Sequence, residues 1–262
     1  MILLDSVPGT HPAINLGCGA FCNVDYLTLL TTGLAMLVTL LIAFTVRGLL
    51  ASGRPGRLQA LFEMLYGYVG GEVSAQVSPK ATFLVPLAGT IGLFILLSNW
   101  LEILPLDLFG LAAPTADLNV PGALAGIVII LVQVYSIRVL GLPGYLHRFT
   151  KPFDGNIGIR ILMTPLNIIE EIVKPVSLSL RLFGNIFAGS VMVYLLATLL
   201  GALPLGQVGS FSIGGIVISA VATAIWKAFD VLFIGAIQAF IFMLLTIAYF
   251  SQAREGVEGE HH

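Results

Sequence analysis

The chain has 262 residues, of which 57% are hydrophobic and 10% charged, with a net charge of −2 and a mean hydropathy of +0.99. Soluble domains carry about 25% charged residues, so this chain lacks the polar surface that a water-soluble globule needs. No basic tract points to nucleic acid, and the composition predicts an integral membrane protein with one domain of several helices.

Residues 1–24 mix Gly, Pro and Asn with apolar side chains and are predicted to form an irregular external segment. The start, Met1-Ile2-Leu3-Leu4-Asp5, lacks a positive region, so no cleavable signal peptide is expected. Cys18 and Cys22 are four residues apart with no matching histidine cluster, which makes a poor metal signal. A small external disulfide and two plain thiols both fit. His261 and His262 give no metal site on their own.

Residues 25–252 are expected to form the membrane domain. The first span is predicted over about 26–46, close to the ~20 residues a helix needs to cross the hydrocarbon layer. It stops at Arg47 and the turn Ser52-Gly53-Arg54-Pro55-Gly56-Arg57. Over about 57–78, Leu58, Leu61, Phe62, Leu65, Val69, Val73 and Val77 recur at helical spacing with Gln59, Glu63 and Glu72 opposite. That pattern predicts an amphipathic surface helix. A second span is predicted over 83–104 and a third over 121–140, the third opened by a Gly122–Gly126 pair that permits close helix approach. The last two spans, about 165–200 and 216–250, are long. Some 35 residues measure roughly 50 Å, so both helices are expected to tilt strongly. Residues 253–262 form a polar tail.

The loops set the orientation. Arg47, Arg54, Arg57 and Lys80 flank one connection, and Arg138, Arg148, Lys151 and Arg160 another, while 105–120 and 201–215 hold no Lys or Arg. The positive-inside rule then puts the basic loops and the C-terminus in the cytoplasm and the N-terminus outside. The fold class is thus all-α, with about five transmembrane helices and one surface helix.

Arg181 stands in the fourth span amid Leu178, Leu180, Leu182 and Phe183. An arginine at mid-membrane costs about 2.5–3.5 kcal/mol on insertion scales, so it needs a partner or a function. A guanidinium snorkelling to a headgroup is the plain alternative. Steps of three and four residues place Glu170 or Glu171, Lys174, Ser177, Arg181 and Asn185 along one helix face. Small residues beside the arginine, Gly184 and Ala188, would admit another helix. On the fifth span Lys227, Asp230 and Gln238 share a similar stripe, and Lys227 and Asp230 are three apart, a spacing that allows a pair.

With a pKa above ~12, arginine is a fixed charge and no proton relay. It does hold a carboxylate ionised: at ~4 Å and an effective dielectric of ~20, a unit pair interacts by about 4 kcal/mol, or some three pKa units. No carboxylate of this chain is expected at that depth, so the partner is expected on another subunit. Glu170 and Glu171 lie toward the cytoplasmic end of their helix and Asp230 in the external half of the last one. Two half-depth polar paths meeting at Arg181 would take protons in and out on opposite sides. Structural ion pairs, Glu170 or Glu171 with Lys174 and Lys227 with Asp230, remain the alternative.

The stretch from Lys174-Pro175-Val176-Ser177 through Arg181-Leu182-Phe183-Gly184-Asn185 to Ala188-Gly189 resembles the signature helix of subunit a of the bacterial F-type ATP synthase. Ile237-Gln238-Ala239-Phe240-Ile241-Phe242 resembles that family's last-helix motif, and Pro114-Thr115-Ala116-Asp117-Leu118-Asn119 its external loop. The resemblance implies that Arg181 is the stator arginine facing carboxylates of a rotating c-subunit ring, beside Asn185 and Gln238. It implies that Glu170 and Glu171 line the cytoplasmic exit, and that b-type peripheral stalk subunits and the bacterial plasma membrane are the remaining partners. Where many members carry Glu after the position of Gly189, this chain has Ser190, and where some carry His or Glu it has Val231. The external path must then use another residue, and adjacent Asp230 is the candidate. With no phosphate loop, nucleophile motif or metal cluster in the sequence, neither catalysis of bond chemistry nor a cofactor is expected. Two rivals remain open: a secondary transporter binding an anion at Arg181, and a passive membrane anchor.

Overall fold

The computed structural model describes residues 13–15, 23–49, 56–103, 114–148, 157–201, 207–208 and 211–254. Cys18, Cys22, His261 and His262 lie outside the described residues. The elements are helices α1 (Tyr26–Leu49), α2 (Arg57–Gln76), α3 (Leu84–Trp100), α4 (Asn119–Arg148), α5 (Ile157–Gly201), α6 (Ile213–Phe229) and α7 (Gly235–Gln252). A π-helical turn, Asp230–Ile234, joins α6 to α7. Among the described residues, four helical segments are long and apolar enough to cross a membrane, and α3 is a shorter apolar helix of 17 residues.

The helices are inside-out by soluble standards. Leu29, Leu30, Leu37, Leu40 and Leu41 of α1 are more than half exposed, whereas Thr31, Ala35 and Thr39 are buried. Steps of four put those small residues on one stripe, so α1 packs by its narrow face and turns its leucines outward. In hydrocarbon an unpaired hydroxyl would be costly. Thr31 Oγ1 donates to the Thr28 carbonyl at 3.1 Å and Thr39 Oγ1 to Ala35 at 2.7 Å, which removes that cost.

Several expectations shift. The second span ends at Trp100, because Leu101–Ile103 tighten into a 3-10 turn ahead of Pro105. The third span runs on to Arg148 across a kink at Gly141, whose φ of 69° favours glycine, and Pro143 then opens the new turn. The basic connection after residue 138 is therefore partly helical. The Gly122–Gly126 pair admits no close neighbour here: among the described residues nothing lies within 4 Å of a Cβ at either position. Two two-stranded hairpins, Ala13–Asn15 with Asn23–Asp25 and Gln207–Val208 with Phe211–Ser212, lie where irregular loops were expected.

The chain divides into two units. One comprises residues 42–93, 121–181 and 240–262. An aromatic triple runs from buried Phe250 to half-exposed Phe83, with ring centroids 5.3 Å apart for Tyr135–Phe250, 5.6 Å for Phe83–Tyr135 and 6.0 Å for Phe83–Phe250. The surface helix α2 docks by its C-terminal half: Val69, Val73 and Val77 are buried, while Leu58, Leu61 and Leu65 stay exposed. Gln59, expected on the polar face, is buried and donates to Glu63 at 2.7 Å. The end of α7 closes the open carbonyls of α2: Ser251 Oγ donates to Gln76 at 2.5 Å and the Arg254 guanidinium to Val77. The other unit comprises residues 1–41, 94–120 and 182–239.

Candidate functional site

Helix α5 runs unbroken through Pro165 and Pro175 for 45 residues, about 67 Å. It has two unlike faces. Leu178, Leu182 and Ile186 are buried on one. On the other, Ser177, Arg181, Gly184 and Ala188 follow at steps of four, three and four and are all exposed. A Cβ at Gly184 would meet nothing within 4 Å. Among the described residues, no carboxylate lies within ion-pairing distance of Arg181. Among the described residues, nothing covers α5 at these four positions.

The unit containing residues 182–239 holds a cleft of about 260 Å³, counting its open mouth. Asn99, Glu102, Asn185, Asp230 and Gln238 line it, with Leu182, Ile186, Val231, Ile234 and Gly235 as apolar walls. Asn185 Nδ2 donates to Gln238 Oε1 at 2.8 Å and so joins α5 to the start of α7. Asp230 opens the π turn, where the Gly235 N–H bonds back five residues to the Asp230 carbonyl. Such wide turns recur at functional sites because they re-aim a side chain. Here the carboxyl lies against α5 at Gly189: a Cβ on that buried glycine would sit 2.9 Å from Asp230 Cγ. Only a glycine leaves the carboxyl that place. Ser190 Oγ is spent on the Ile186 carbonyl at 2.9 Å.

Asn99 fixes the wide turn from the α3 side. Its Nδ2 donates to the Gly235 carbonyl at 3.2 Å, and its Oδ1 accepts from Thr115 Oγ1 at 3.0 Å. Lys227 lies 3.9 Å from Glu102 on the turn after α3. Lys227 thus comes within ion-pair distance of Glu102, while the π turn directs the Asp230 carboxyl to Gly189.

In the other unit, Glu171 accepts from Lys174 Nζ at 2.9 Å and from Gln133 Nε2 of α4 at 3.0 Å. Glu170 points outward, 66% exposed, with Lys174 3.9 Å away. The charges of Arg181 and Glu171 both act on the phenol of Tyr249 on α7.

The sequence-predicted positions therefore form separate groups. Asn185, Asp230 and Gln238 line one cleft; Glu171 and Lys174 form an ion pair that Glu170 borders; Arg181 stands on the exposed face. Sequence reasoning missed Asn99, Thr115, Glu102 and Gln133. The signal was present: Asn99 and Glu102 sit three apart at the end of an apolar run, and Gln133 is the one amide between Gly122 and Leu140.

Fold and site together define a multi-pass helical membrane protein with polar side chains inside its apolar helices. A profile of the family described as ATP synthase A chain matches residues 28–251, and the chain belongs to that family. It is 42% identical over 250 residues to ATP synthase subunit a of Mycobacterium ulcerans, covering 92% of this chain and 90% of that one. It is 36% identical to the subunit a of Acidothermus cellulolyticus, covering 89% of this chain and 80% of that one. For subunit a 1 of Photobacterium profundum the identity is 35%, with 94% of each chain covered. Of the three readings that Arg181 left open, the family is that of the first.

Proposed function

We propose that the chain is the proton-translocating stator subunit in the membrane sector of a bacterial F-type ATP synthase. It offers two offset half-channels to a rotating ring of c subunits and couples proton flow to ATP synthesis elsewhere in the complex, with no bond chemistry of its own. The observation that carries this reading is the exposed Arg181 face, bordered by Gly184 and Ala188 and without a carboxylate partner among the described residues. A fixed cation there would draw the ring carboxylate into its ionised form and release the proton. The external path runs through the cleft with Asp230, Glu102, Asn99, Asn185 and Gln238, where Asp230 takes the place of a carboxylate at Ser190. The cytoplasmic path runs by Glu171 and Glu170, and the termini lie outside (N) and inside (C) the plasma membrane. Lys227 tunes the outer path by neutralising Glu102 at 3.9 Å. b-type stalk subunits hold the chain against rotation.

The test is Arg181→Ala in inside-out membrane vesicles. ATP-driven proton pumping is expected to vanish while the complex still assembles. Coupled pumping at the wild-type rate would sink the proposal.

A further inference from the structure

We propose that Gln133 on α4 is a positioning residue of the inner proton path, which holds the Glu171 carboxylate against Lys174 and turns its amide over when Glu171 takes up a proton. The idea rests on the function proposed above. Its starting point is a stranded atom. Gln133 Nε2 donates to Glu171 Oε2 at 3.0 Å and Lys174 Nζ donates to Oε1 at 2.9 Å, so both carboxylate oxygens have a donor. The other end of the same amide, Gln133 Oε1, is buried and has no hydrogen-bond partner among the described residues.

A buried acceptor without a donor is disfavoured, and a methionine of similar volume would fill the site without that cost. The last torsion of a glutamine is broad and nearly two-fold, so the amide has a second orientation at little expense. In it Oε1 faces Glu171 Oε2. Two acceptors repel, unless the carboxyl carries a proton and donates it to Oε1. The two amide orientations thus match the two protonation states of Glu171, and the stranded oxygen of one is the acceptor of the other. Among the described residues, the charged and titratable groups shown to act near Glu171 are Lys174 and the outward Glu170 on α5, and Tyr249 on α7, on which Arg181 also acts. In pumping, the proton enters from water beside Glu170, rests on Glu171 and passes to the ring.

The test compares wild type with Gln133→Met, which keeps volume and helix but removes both donor and acceptor. Initial rates of ATP-driven pumping by inside-out vesicles are followed against outer pH. In parallel, the infrared C=O band of protonated Glu171, identified by its loss in Glu171→Gln, is titrated in the purified complex. The bond to the ionised carboxylate is charge-assisted and stronger than the neutral one, so losing both leaves the ionised form less favoured and proton uptake persists to higher pH. Both midpoints are expected to move alkaline together by about one unit, a tenfold change in proton affinity. Any other combination, including a uniform change of rate with fixed midpoints, leaves Gln133 a packing role and overturns the proposal. Wild-type pumping in an Arg181→Ala control would instead overturn the function on which it rests.

Discussion

Replacing Gly189 by alanine tests the external path without touching a charge. A Cβ at 189 would sit 2.9 Å from Asp230 Cγ, closer than real Cβ contacts come, so the carboxyl must move. Moving an aspartate off its rotamer costs about 0.5–1.5 kcal/mol. Against this, alanine is better than glycine inside a helix by roughly 0.8–1.0 kcal/mol. The two terms nearly cancel, and Gly189→Ala is expected to assemble at wild-type levels with a stability change within about 1 kcal/mol. Flux should not escape so lightly, since a shift of ~1 Å in a group that must meet its partner costs on the order of 10²-fold. Passive proton flow from the external side, measured as potential-driven acidification of proteoliposomes, should fall at least ~10-fold. Asp230→Asn should fall similarly, and the double variant should be no worse than either single one, because both act through one carboxyl. Normal flux in an assembled Gly189→Ala complex, or fully additive losses, would refute the role given to Asp230.

Further expectations follow from single contacts. Asn99→Ala strands the Gly235 carbonyl and the Thr115 hydroxyl, at about 1–3 kcal/mol for each group, and should lower the Tm of the purified complex; an unchanged Tm contradicts the anchoring of the π turn. Gln238→Asn withdraws the amide from Asn185 across the 2.8 Å bond, and pumping should drop about five-fold, the kinetic equivalent of roughly 1 kcal/mol. Adding Asn185→Gln should restore it, and a double variant as slow as the single one counts against a functional pair. Glu102→Gln should slow external proton entry and leave the pH dependence on the cytoplasmic side unchanged; a shift on that side would place residue 102 on the wrong path.

The spans were legible because hydrocarbon imposes one rule over ~20 residues at a time. Five apolar runs and one amphipathic run all form helix; the last run forms two, α6 and α7, about the π turn, and α5 starts earlier than expected because Pro165 sits inside it. Arg181, Asn185 and Gln238 stood out as polar exceptions in such runs. What stayed hidden was local geometry. A π turn of five residues leaves no trace in hydropathy, yet it decides that Asp230 meets Gly189 and that Lys227 meets Glu102. Asn99 and Glu102, at the end of the second apolar run, did not stand out and line the cleft. The paired small residues at 122 and 126 gave the opposite error, since a motif that permits close approach does not supply a neighbour.

The central claim is that the counter-charge of Arg181 belongs to another chain, seated on the exposed face of α5. Site-directed cross-linking tests it most directly. In a Cys18→Ser, Cys22→Ser background, Ala188→Cys and Ser177→Cys are oxidised in membranes whose c-type proteolipid carries single cysteines beside its own carboxylate. The account predicts disulfides from positions 177 and 188 to the proteolipid, and none from a cysteine at the buried position Leu182. Absence of cross-links from 177 and 188 in an assembled, pumping complex would contradict it.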